Sequence, residues 1–153
     1  MPPAGRGDTA HVSSSEPYDW RTFPDTPQFI AELPHTVALV SRRQRFQGRS
    51  IVWLKERYDG LSDVPKELRD ASMDEMLWVA GAIQQVFRPT RMNYACYGNI
   101  VPQVHWHLIP RYTDDPDWNG PPRLRQVPPP LSDAECAAMA ARIRDALETG
   151  GRR

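Results

Sequence analysis

The sequence predicts an α+β fold: an antiparallel β-sheet with one central helix and a C-terminal helix. Three observations lead there. Two pairs of short apolar, β-branched runs are each joined by a polar or glycine-containing connection, the pattern of β-hairpins. One stretch of helical periodicity separates the pairs, and a second closes the chain. The resulting order, β-β-α-β-β-α, lacks the strand–helix alternation that builds a parallel sheet.

The first run is Thr36-Val-Ala-Leu-Val-Ser41 and the second Ser50-Ile-Val-Trp-Leu-Lys55, with a polar stretch from Arg42 to Gly48 between them. Ser72 followed three positions later by Glu75 is a capping-box pattern. Met73, Met76, Leu77, Ala80, Ile83 and Phe87 then recur at helical spacing, which predicts a helix over 73–88, stopped by Pro89. Met92 to Tyr97 and Gln103 to Ile109 read as two strands joined by Gly98-Asn-Ile-Val-Pro102. Ser132 and Glu135 repeat the capping box, and Cys136, Met139, Ala140, Ile143 and Leu147 mark the apolar side of a last helix ending near Gly150.

Proline punctuates this order. Most of the 16 prolines crowd the flanks, and proline breaks helices and central strands, so the regular core is expected between His35 and Ile109. The chain then divides into a flexible N-terminal tail (1–17), a main domain (18–112), a proline-rich loop (113–130) and a C-terminal helix packed on the domain (131–150). Tyr18, Trp20, Phe23 and Phe29 offer the aromatic area to pin the start of that domain.

Composition narrows the function. Lys plus Arg and Asp plus Glu are each 19, so no charge surplus exists to capture a nucleic-acid polymer or an anionic membrane. Cys96 and Cys136 form no C-x-x-C pair, and no run of ~18 apolar residues is present. A cytoplasmic protein is expected.

The chemistry concentrates in Gln103-Val-His-Trp-His-Leu-Ile-Pro-Arg111. Side chains alternate across a strand, so Val104, Trp106 and Leu108 share one face and Gln103, His105 and His107 the other. Two imidazoles at i and i+2 can serve a metal, nucleophilic or acid–base catalysis, or plain surface polarity. A metal needs a third ligand; His35 is the other histidine expected to be ordered and no Cys stands near, so no metal is expected.

This segment resembles the signature of the histidine triad (HIT) superfamily, His-φ-His-φ-His-φ-φ followed by Pro-Arg, where φ is apolar. Gly98-Asn99 stands in the turn that precedes it, and Val37 to Val40, Gly48 and Leu61-Ser-Asp63 resemble the N-terminal half of the domain, so the likeness covers about residues 35–112. Gln at the first triad position resembles a bacterial subgroup.

The resemblance implies a HIT-like fold, no required cofactor, a homodimer, and nucleotidyl transfer or hydrolysis. Attack would fall on the α-phosphate of a dinucleoside polyphosphate, a nucleoside phosphoramidate or a similar AMP conjugate. His105 would attack phosphorus to form a nucleotidyl-histidine, His107 would donate hydrogen bonds to the phosphate or leaving group, and Gln103 would complete the triad. Asn93, Asn99, Ser41, Arg49 and Arg111 are the positions expected to bind the nucleotide and its phosphates. Three positions depart from the family pattern: Gln103 cannot titrate near neutrality, Arg49 puts a fixed cation where histidine is usual, and Ser41 replaces a common asparagine. These departures keep an alternative open, a non-catalytic nucleotide-binding or scaffolding module on the same fold.

Overall fold

The computed structural model describes residues 18–124 and 128–151; the expected tail over 1–17 lies outside them. Five strands form one antiparallel sheet: β1 (Phe29–Glu32), β2 (Thr36–Val40), β3 (Ser50–Leu54), β4 (Arg91–Cys96) and β5 (His105–Arg111), in the order β1-β2-β3-β5-β4. Two helices, α1 (Lys66–Phe87) and α2 (Asp133–Gly150), complete the α+β fold.

Alternation along the strands sorts the side chains. Ala38, Val40, Val52, Leu54, Trp106 and Leu108 meet Met76, Val79 and Ile83 of α1 and Ile143 and Leu147 of α2 in the core. Each Val, Leu, Ile or Met side chain among them contributes about 1.5–3 kcal/mol on burial. The same alternation sends Val37, Leu39, Ile51, Trp53, His105 and His107 to the face away from the helices.

Four sequence expectations need correction. Regular structure begins before His35: β1 is a four-residue edge strand, too short to show a period, and Arg144 of α2 donates to the carbonyls of Phe29 and Ile30. α1 starts at Lys66, not at residue 73, directly after Pro65. Its first turns are rich in good helix formers but poor in apolar residues, so periodicity alone does not mark them. Ser72 and Glu75 are therefore no cap. Both are buried within the helix; Ser72 Oγ donates to the Arg69 carbonyl, and the Glu75 carboxylate accepts from His35 N–H and Thr36 Oγ1, tying α1 to β2. Finally, β5 runs on through Pro110, while Gln103 precedes it. Pairing with β3 ends at Leu108, so proline sits where β5 has only β4 beside it.

Other elements match their signals. Ser132 and Glu135 form the reciprocal capping box of α2. Tyr18 and Phe23, the latter in a 3-10 turn over Trp20–Asp25, pack against Trp53 at 5.3 and 5.6 Å, which pins the start of the domain as expected. Gly48 turns the chain into β3 with φ +90°, and a Cβ there would lie 2.6 Å from Phe87. Only glycine suits that position.

Candidate functional site

The site is assembled on the sheet face opposite the helices, where β3 and β5 run side by side. Register places Trp53 beside His105 and Ile51 beside His107. The two imidazoles lie edge to face, with ring centroids 4.9 Å apart.

His105 is buried and closely constrained. Its Nδ1 lies 2.7 Å from the carbonyl oxygen of Gln103. A carbonyl can only accept, so Nδ1 carries the proton and the lone pair of the neutral ring resides on Nε2. The indole of Trp53 stacks on the ring at 4.6 Å and 18°. Burial pushes the His105 pKa below its ordinary value, which keeps the ring neutral and nucleophilic near pH 7.

His107 is held in the complementary state. Arg49 Nη2 approaches its Nδ1 at 3.4 Å, and a guanidinium can only donate. The remaining proton of neutral His107 is then on Nε2, an N–H donor. Burial, reinforced by His105 and Arg49, pushes its pKa down to about 4. Tyr97 flanks the ring at 5.4 Å.

Arg49 is the electrostatic focus. It is 8% exposed, and its Nε has no hydrogen-bond partner among the described residues. Among those residues it also has no carboxylate partner. A buried guanidinium without a counter-charge is costly, and an anion beside it relieves that cost. Ser41, also buried, abuts Arg49 through a backbone hydrogen bond from Ser41 N–H to the Arg49 carbonyl.

Of the remaining sequence-derived positions, Gln103 touches His105 through its backbone carbonyl and not its side chain. The Gln103 side chain is buried and donates to the Leu54 carbonyl at 2.8 Å, closing the end of β3. Arg111 is 3% exposed and is used by Asp115, Asn93 and the carbonyls of Asp117 and Gly120. Asn93 thereby joins Arg111 in holding the 112–120 loop. Asn99 is exposed in the connection before β5. His105, His107, Arg49 and Ser41 thus form one neighbourhood, and Arg111 with Asn93 another. Trp53 was missed by reading motifs; its signal was its place in an apolar strand, which shows its neighbour only once register with β5 is known.

Among the described residues no group of three or more His, Cys, Asp or Glu converges as a metal site. A groove of about 940 Å³ lined in part by His35, Glu75, Trp78 and Gln85 borders α1 on the helical side of the molecule.

A HIT-domain family profile matches residues 25–114, more than half of the chain and the whole of the sheet. The chain belongs to the HIT family. Among solved structures, a histidine triad protein from Marinobacter aquaeolei is similar at 27% identity and TM-score 0.71, covering 84% of this chain and 93% of that one. A histidine triad protein from Sinorhizobium meliloti is similar at 23% identity and TM-score 0.72, covering 89% and 98%. A zinc-bound histidine triad family protein from Mycobacterium smegmatis shares the fold at 20% identity and TM-score 0.62, covering 79% and 84%. No curated protein matches the chain. HIT membership supports a nucleotide-binding, hydrolase-type function in general terms, and among the described residues no helix is long and apolar enough to cross a membrane.

Proposed function

We propose that this HIT protein hydrolyses or transfers the nucleotidyl group of an AMP conjugate, a dinucleoside polyphosphate or a nucleoside phosphoramidate, in the cytoplasm. The observation that carries this reading is the hydrogen bond from His105 Nδ1–H to the Gln103 carbonyl, which leaves the Nε2 lone pair for attack. As the Nε2–P bond forms, the bond from phosphorus to the leaving group breaks and its electron pair departs with that group. Arg49 offsets the charge on the phosphate oxygens, and His107 Nε2–H donates a hydrogen bond to oxygen as charge develops. Water then attacks phosphorus, the Nε2–P electron pair returns to nitrogen, and the water's proton passes to solvent; another nucleophile in its place makes the reaction a transfer. The nucleophile and the cation both come from the chain, so this chemistry requires no metal.

A second reading, nucleotide binding without turnover, is favoured by Gln103, whose amide N–H is committed to Leu54. Supplying diadenosine tetraphosphate or adenosine 5′-phosphoramidate with excess chelator, and quantifying AMP across about pH 5–8, separates the two. AMP release is expected, with an acid limb centred below the ordinary histidine value of 6.5, because both pKa values are lowered and the neutral rings persist to lower pH. Calorimetric AMP binding with no release from either substrate would favour the binding module instead.

The assembly is proposed to be a homodimer joined at β4. That strand is an open edge of the sheet, and Tyr94, Tyr97 and the 76%-exposed Ile100 lie along or just beyond it. Light scattering is expected to give the mass of two chains; the mass of one chain would contradict the dimer.

A further inference from the structure

We propose that Trp53 is a positioning residue for His105, and that its indole face stabilises the positive charge the ring acquires when it carries the nucleotidyl group. The inference rests on the nucleotidyl-histidine reading above and adds a residue to it.

The geometry is specific. The indole and imidazole planes are 18° from parallel with centroids 4.6 Å apart. Tyr18 and Phe23 also pack on the indole, at 5.3 and 5.6 Å. Together with the Nδ1–H bond to Gln103, the stack fixes both the plane and the rotation of the imidazole. Trp53 is 7% exposed, yet its indole N–H has no hydrogen-bond partner among the described residues. Packing alone would be met by phenylalanine or leucine without that buried, unpaired donor, so the large π surface is the part of the side chain with a use.

Charge accounting gives that use. Resting His105 is neutral and already protonated at Nδ1. When Nε2 attacks phosphorus and the leaving group departs with its electron pair, the ring retains the Nδ1 proton and becomes a cation, while the transferred phosphate keeps its negative oxygen. The phosphate charge has Arg49 to meet it. The Gln103 carbonyl, which accepts from Nδ1–H, favours the charged ring from its edge. The other groups near it offer little: His107 is neutral, Arg49 is a like charge beyond His107, the Cys96 thiol adjoins the His105 backbone, and Tyr18 packs on the indole. Trp53 supplies an aromatic face within the ~6 Å over which a cation is attracted to a ring, and tryptophan is the strongest such partner.

Trp53→Leu and Trp53→Phe are compared with the wild type by NMR titration of His105 and by steady-state release of AMP. For Trp53→Leu the His105 pKa is expected to fall by about 0.5 unit as the imidazolium loses its partner, and kcat to fall about tenfold with KM within about twofold. Trp53→Phe keeps a smaller π face and is expected to restore kcat to within about threefold of wild type. Replacing all five tryptophans by mono- and then difluorotryptophan weakens the π face with little change in volume, and should lower the His105 pKa stepwise even where the leucine variant fails to fold. An unchanged pKa across the fluorinated series, or a phenylalanine variant as slow as the leucine one, overturns the inference. Failure of the wild type to release AMP would instead overturn the proposed function, and the pKa series would then decide the role of Trp53 alone.

Discussion

His105→Ala is expected to lower AMP release by on the order of 10³–10⁶-fold, because it deletes the atom that would form the bond to phosphorus. Among the described histidines, only His105 combines a proton fixed on Nδ1 by a carbonyl, a free Nε2 and a pKa held below its ordinary value by burial. His107 is locked the opposite way round, with Nδ1 towards Arg49 and its proton on Nε2. Its removal should therefore cost about 10²–10³-fold, the loss of one donor to developing charge. The two variants are told apart by trapping. Wild type quenched in alkali after mixing with nucleotide-labelled substrate should carry label that acid removes, His107→Ala should carry less, and His105→Ala none. Calorimetry on His105→Ala provides the control, since a folded site retains its affinity for AMP. Equal turnover by His105→Ala and wild type would remove it as the nucleophile.

How far the site could be read in advance depends on the range of each interaction. The apolar row Val104, Trp106 and Leu108 and the polar row beside it follow from a period of two, and the core contains that apolar row. The capping box of α2 is equally local, spanning three residues. The same pattern at Ser72 and Glu75 misleads, because Glu75 is used by His35 and Thr36, about 40 positions earlier. Gln103 reads as a triad member by position, yet its amide N–H closes β3 at Leu54, 49 residues away. Trp53 and His105 become neighbours only through the β3–β5 register, which depends on the whole sheet. Local periodicity thus reaches the fold and the row of imidazoles, while side-chain partners wait on long-range pairing. Arg49 lies between these cases: Gly48-Arg49 marks it in sequence, and its lack of a carboxylate partner among the described residues emerges only from the fold.

Arg111→Leu is expected to destabilise the fold by about 3–5 kcal/mol, as removal of one partner from a buried ion pair does. The reason is the company Arg111 keeps. Its Nε donates to Asp115 at 2.5 Å, with both side chains 4% exposed, and its other nitrogens reach Asn93 and the carbonyls of Asp117 and Gly120. Leucine would leave the Asp115 carboxylate buried without its cation and release the 112–120 loop from the end of β5. Lysine has one nitrogen and cannot span the same partners, so Arg111→Lys should recover only part of the loss. Asn93→Ala, which removes a single neutral acceptor, should cost about 1 kcal/mol. Urea denaturation reads all three as a lower midpoint at unchanged slope. The sequence pattern alone offers Arg111 as a phosphate ligand, and that role makes the opposite demand: KM would rise about tenfold or more in Arg111→Lys while the urea midpoint stayed in place. The four occupied directions of the guanidinium favour the structural outcome, with KM within about twofold wherever the variant is folded, whereas the buried Arg49 has its Nε without a hydrogen-bond partner among the described residues.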